Sequence, residues 1–129
     1  SDSIDMDFSN LKVTKININN SLNDCLDLSY GSYQIENLIV KNCADKGVSV
    51  GEKSELKIDS LLAEQTNVAV AAKDSSTIFL DNVNIKDSAI CFAAYRKKQE
   101  FSGGKILINK KNNCNNKKIY VSKGSEIIF

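Results

Sequence analysis

Asp5 and Asp27 stand 22 residues apart, each between two aliphatic residues, in Ile4-Asp5-Met6 and Leu26-Asp27-Leu28. Two carboxyl groups held about 5–9 Å apart can serve as acid and base, or acid and nucleophile, on a glycosidic bond. A second set of chemically useful residues lies in Tyr95-Arg-Lys-Lys-Gln-Glu-Phe-Ser-Gly-Gly104. It gathers Tyr95 and Phe101 with the cations Arg96, Lys97 and Lys98, a combination suited to acidic sugars or to another protein surface. Histidine is absent. That excludes a Ser-His triad, a histidine general base and any histidine metal site. The four cysteines, Cys25, Cys43, Cys91 and Cys114, show no Cys-x-x-Cys spacing. Small buried residues in or near turns is the first reading of them. A Cys25–Cys43 bridge competes with it, and a four-thiolate zinc site has the count but no motif. No cofactor is implied.

The elements that position these groups follow from a repeat. In Gly47-Val-Ser-Val-Gly-Glu-Lys-Ser-Glu-Leu-Lys-Ile58, two alternating apolar pairs, Val48/Val50 and Leu56/Ile58, flank a small polar turn. The same phrase returns along the chain, with first pairs at 4/6, 26/28, 48/50, 68/70, 90/92 and 119/121. Second pairs fall at 11/13, 33/35, 56/58, 78/80 and 106/108, with a last one at 127/129. Third pairs fall at 16/18, 38/40, 61/63 and 83/85. Apolar residues two apart share one face of a strand. Three strands in about 22 residues leave turns too short for anything but a coil, in which equivalent strands stack in parallel about 4.8 Å apart. The expectation is a single all-β domain over 1–129: a right-handed parallel β-helix of about five coils, a rod roughly 25 Å long. The piece reads as a fragment of a longer protein.

Two irregularities fit a solenoid. The 48-to-68 step is two residues short and the turn after it two residues long, while 95–104 enlarges that same corner. A helix over Asp59–Asp74, where Leu-Leu-Ala and Val-Ala-Val-Ala-Ala are helix-friendly, competes locally with the coil. The segment Asn109-Lys-Lys-Asn-Asn-Cys-Asn-Asn-Lys-Lys118 has no aliphatic pair and reads as an irregular, solvated connection. Asn20, Asn42, Gln65 and Asp87 fall at equivalent points and predict a polar side-chain ladder at one corner. Asp24, Asp45 and Asp87 precede first strands, where a short Asp fixes a corner through backbone N–H groups.

The core must be aliphatic, since the 129-residue chain is 42% hydrophobic but only 7% aromatic and lacks Trp. A net charge of +1 removes the electrostatic case for nucleic acid as the main partner. No apolar run approaches the roughly 18 residues that span a bilayer.

The phrases Asp24-Cys-Leu-Asp-Leu-Ser29, Asn37-Leu-Ile-Val-Lys-Asn-Cys-Ala-Asp-Lys-Gly-Val-Ser-Val-Gly51 and Ile78-Phe-Leu-Asp-Asn-Val-Asn-Ile85 resemble right-handed parallel β-helix proteins of the pectate-lyase-like superfamily. They look most like modules of bacterial surface and polysaccharide-associated proteins. The resemblance implies the fold, a bacterial surface or extracellular setting, and carbohydrate as the ligand class. It leaves activity open, because the superfamily includes lyases, hydrolases, adhesins and spacers.

In such a coil the outward first-strand column reads Asp5, Asp27, Ser49, Ala69, Cys91, Tyr120. Its acids end at Asp27, so ordinary solvated positions compete with a catalytic pair. For 95–104 the alternative to a contact loop is that Tyr95 and Phe101 fold back over the rod. Ile39, Leu62, Phe79 and Leu107 also point outward and together predict an apolar docking stripe. The expected function is therefore a non-catalytic module that binds carbohydrate or positions a partner domain. Asp27, Tyr95, Arg96, Lys97, Lys98, Phe101 and Phe79 are its candidate contacts. A hydrolase or lyase using Asp5 and Asp27 is the alternative. A spacer that self-associates through its open ends or the apolar stripe is another.

Overall fold

The computed structural model describes residues 3–129, apart from the Lys110 side chain, and these residues form strands and turns without a helix. In chain order the strands are β1 (Ile4–Asp7), β2 (Asn10–Ser21), β3 (Leu26–Ser29), β4 (Ser32–Gly51) and β5 (Glu55–Lys73). They continue with β6 (Thr77–Lys86), β7 (Ile90–Tyr95), β8 (Lys105–Cys114), β9 (Ile119–Val121) and β10 (Glu126–Ile128). Every pairing is parallel and joins one circuit to the next. On the first side Ile4, Leu26, Val48, Val70, Phe92 and Ile119 stand in one ladder. On the second, Leu11, Tyr33, Leu56, Ile78, Ile106 and Ile127 do the same. The chain is a parallel β-helix of about six turns, one more than the repeat alone predicts.

Alternation along each strand turns these ladder residues inward, where stacked Ile, Leu and Val fill the rod with little exposed surface. Cross-coil backbone hydrogen bonds then satisfy the buried amides that such a narrow core cannot shield in any other way.

Two expectations are corrected and one competing reading is excluded. Val48 pairs with Val70, not Val68, so the step is again 22 and the turn Gly51–Ser54 matches Lys73–Ser76. The run Val68-Ala-Val-Ala-Ala72 is apolar at every position, so its pattern fits either register. A register irregularity between Cys43 and Lys46 decides it. The Asp59–Asp74 helix does not form. The β5 strand is paired on both edges, and ladder hydrogen bonding outweighs local propensity. Finally, the irregular connection expected over 109–118 is in part a strand. After a register shift next to Ile108, β8 continues to Cys114 and sets the exposed Lys111, Asn112 and Asn113 beside Asn82, Val83 and Asn84, and only 115–118 lies outside the strand.

The corners explain the 22-residue period in backbone terms. Asn20, Asn42, Gln65 and Asp87 all have positive φ, between 50° and 67°. Amide residues tolerate this left-handed conformation best, so their recurrence reflects the turn and not an amide ladder. At that corner Asn42 Nδ2 donates to Asn19 Oδ1 (2.8 Å), beside the column and not along it. The corner between first and second strands carries a second left-handed column: Phe8, Tyr30, Glu52 and Asp74.

Both pairs of cysteines are bridged, Cys25 to Cys43 and Cys91 to Cys114, with Cα–Cα distances of 5.5 and 6.1 Å. The reading of free buried thiols gives way to two staples, and no thiolate is left for zinc. Cys25 and Cys91 occupy the position that Gly47 and Ala69 take in the two coils between. There a Cβ on Gly47 would meet the Ala69 carbonyl oxygen at 2.7 Å, and Thr66 donates to the Ser88 hydroxyl (2.6 Å).

Candidate functional site

The outward column of the first side is Asp5, Asp27, Ser49, Ala71, Ala93 and Tyr120. Ala69 and Cys91, expected there, lie two residues earlier at a fully buried corner position. Asp5 and Asp27 are register partners, as the spacing requires. Ser49, Ala71 and Ala93 are nevertheless buried, which small residues on an outer face reach only when long neighbours cover them. Lys73 runs over Gly51, its Cε 3.1 Å from where a Cβ would sit there. Tyr95 is half-buried, and burial pushes its phenol up while the charge of Lys46 opposes the shift. Asp27 is half-buried at the edge of this layer. Burial raises its carboxyl above the usual range, Lys73 works against that, and Asp24, Asp5 and Glu52 add to it. The Ser49 hydroxyl beside it is buried without a partner.

Asp24 behaves as a corner-fixing carboxylate. Its Oδ1 accepts the Lys46 amide at 3.0 Å, and the Lys46 ammonium lies 3.8 Å away. Lys46 Nζ also donates to Asp45 (2.9 Å), and that hydrogen bond holds the Asp45 carboxyl below its ordinary range. Asp24, Lys46 and Asp45 thus form an ion-paired wall beside the first strand.

The raised carboxyl of Asp27 gives a test of this arrangement. A folded-state pKa above the unfolded one stabilises the protein only below the unfolded value, and that gain is lost as pH rises through the folded value. Asp27→Asn should therefore raise the urea midpoint at pH 7 and leave it unchanged near pH 3. A lower midpoint at pH 7 would mean that the charged form is held by a partner.

The insertion folds back on the rod. Asp74, fully buried at the left-handed corner, accepts the backbone N–H groups of Lys97 (2.7 Å) and Lys98 (2.8 Å) through Oδ1. Lys98 Nζ reaches Glu52 two coils earlier at 2.9 Å. Ser75 accepts the Ser102 amide at 2.9 Å and donates its own to the Ser102 carbonyl at 3.0 Å. Phe101 then meets the ring of Tyr30, three coils back, edge-on at 6.3 Å. Gly103 and Gly104, which read as a hinge, are tied down: Gly104 N–H donates to Ser125, and a Cβ at 104 would strike the Ala72 carbonyl.

The structure thus brings Tyr95, Lys98 and Phe101 onto one corner, leaves Arg96 and Lys97 exposed beside them, and keeps Asp27 at the edge of the covered face. Phe79 is elsewhere. It stands between Lys57 and Leu107 on the second side, whereas Ile39 pairs with Leu62 on the third. The expected single apolar stripe is two short columns separated by a corner.

Sequence reasoning missed Phe8 and Tyr30. Their rings stack at 4.6 Å, only 8° from parallel, and extend the contact of Phe101 toward the N-terminal coil. The signal was present: positions 8, 30, 52 and 74 step by 22 outside the apolar pairs. Compared with known proteins, the chain matches no family model, no curated protein and no solved structure.

Proposed function

We propose that this β-helix is a non-catalytic module of a secreted or surface polysaccharide-associated protein, akin to the pectate-lyase-like superfamily, that binds carbohydrate or holds a partner domain. The observation carrying this reading is the closed first side. Asp5 and Asp27 are paired in register, but Ser49, Ala71 and Ala93 in the next three coils are small, neutral and buried, so the column offers a polysaccharide no further acid beyond that pair. The cavities of 240–470 Å³ are lined by other residues. Two disulfides favour an oxidising compartment, which supports export from the cytosol.

One observation favours a hydrolase or lyase instead: the raised carboxyl of Asp27 beside Asp5 has the character of a general acid. Both readings meet one experiment. Acidic and neutral polysaccharides are incubated with the chain, and binding is followed by affinity electrophoresis while chain length is followed by size exclusion. Retention without shortening is the expected result. Shortening that Asp27→Asn abolishes overturns the binding-module reading.

A further inference from the structure

We infer that this chain assembles head to tail with a second copy of itself, the first coil of one rod stacking on the last coil of another so that the same ladders continue across the joint. The joint uses the ends of the rod and leaves its sides free, so it is independent of carbohydrate binding.

The two end coils leave matching side chains uncovered. Ile4, Met6, Leu11 and Val13 of the first coil point inward but are only partly buried. At the other end Ile119 is 47% exposed, Val121 42% and Phe129 62%. Among the described residues, the outer edges of β1, β2, β9 and β10 pair with no further strand, and such edges take a strand from another chain. One more step of the same register sets Ile119 and Val121 on Ile4 and Met6 of the second copy, and Ile127 and Phe129 on its Leu11 and Val13. The ends also agree on where no cover is needed. The third pair of the first coil, Ile16 and Ile18, is already buried. On that side the last strand is β8, one coil short of β9 and β10, and a cavity of 240 Å³ lies there against Cys114 and Phe129.

Charge separates the two ends. Residues 3–9, around the first strand of the first coil, carry Asp5 and Asp7 and no cation. Residues 115–125, around the first strand of the last coil, carry Lys117, Lys118 and Lys123 and no acid. All five are exposed. On the second side the signs reverse: the first coil presents Lys12, and the last presents Glu126, which Lys105 meets at 3.6 Å. Each end therefore repels its own kind and attracts the other, which selects the head-to-tail contact over a symmetric one.

Phe8 fits the same joint. Its φ of 51° strains a bulky side chain, and at 74% exposure burial does not offset the strain. Tyr30 in the next coil covers one face of its ring at 4.6 Å. The opposite face looks out past the first coil. Lys123 stands two residues after Val121 as Phe8 stands two after Met6, and Met6 and Val121 share one ladder. The stack thus sets the exposed Lys123 ammonium against the open ring face of Phe8 of the second copy, a cation–π contact.

The joint covers only the cross-section of a narrow rod, so assembly should depend on concentration, and sedimentation velocity at rising concentration reads it. The wild type should form a series of oligomers. Lys118→Glu with Lys123→Glu, and Asp5→Lys with Asp7→Lys, should each weaken association at least about tenfold, since both ends then carry one sign. All four positions are exposed, so the fold should survive. Mixing the two double variants should restore the oligomers, because the exchanged charges are again opposite. Phe8→Asn relieves strain, so it should weaken association while its thermal midpoint equals or exceeds that of the wild type. A wild type that stays monomeric at every concentration overturns the inference. So do oligomers that both double variants retain, a mixture that stays dissociated, or oligomers that Phe79→Lys on the rod's side dissolves. None of these outcomes bears on whether the module retains polysaccharide.

Discussion

Removing either disulfide, by Cys25→Ser with Cys43→Ser or by Cys91→Ser with Cys114→Ser, is expected to cost about 3 kcal/mol. The bridges close loops with sequence separations of 18 and 23. Cross-links of that size remove chain entropy from the unfolded state on this order. The effect should also be local. Each coil touches only its neighbours, so a β-helix loses order from its ends inward. The Cys25–Cys43 staple lies in the second coil and Cys91–Cys114 in the fifth, so each guards one end. Hydrogen exchange should show β1–β3 opening first without the former bridge, and β8–β10 without the latter. Equal urea midpoints with and without reductant would show that the ladder alone suffices.

The second large effect is expected at Asp74. Asp74→Ala removes the acceptor of two backbone amides and places alanine at φ 53°. Hydrogen bonds to a charged group contribute about 1.5–3 kcal/mol each, and the left-handed penalty adds about 1 kcal/mol. Part of this is recovered because freed amides find water, leaving a loss of about 3 kcal/mol. Asp74→Asn keeps one oxygen and tolerates the turn, so it should retain most of the stability. The discriminating measurement is trypsin digestion. Arg96, Lys97 and Lys98 lie in the tethered segment, and cleavage there should be slow in the wild type and in Asp74→Asn but fast in Asp74→Ala. Equal cleavage in all three would mean that Lys98–Glu52 and Ser75–Ser102 hold the insertion by themselves.

The contrast between these residues shows where the fold was legible. The inward pairs obey a period of two inside a period of 22, and hydrophobic patterning carries both, so the coil follows from residue type alone. Register failed at Val68–Ala72 because that segment has no polar residue to mark a face. The third strand of β8 was hidden for the opposite reason. Lys111, Asn112 and Asn113 offer no apolar residue, and their ladder is fixed by the coil beneath. Of the candidate site, Tyr95, Lys98 and Phe101 were visible as an interruption of the repeat. That they would fold back was not, since it depends on one buried carboxylate catching two amides. Phe8 and Tyr30 escaped because a left-handed corner normally announces itself with Gly or Asn.

The staples have a mechanical consequence. A pulling force applied through the chain is carried across a bridged pair by the covalent sulfur link, bypassing the segment it encloses. The residues from Cys25 to Cys43 and from Cys91 to Cys114 are then withheld from extension, about 60 Å and about 80 Å of fully stretched length respectively. The second of those hidden lengths contains the whole insertion. A rod tethered at both ends and placed under shear would thus unravel elsewhere while the 95–104 corner kept its length, and single-molecule extension traces should gain the missing increments only after reduction.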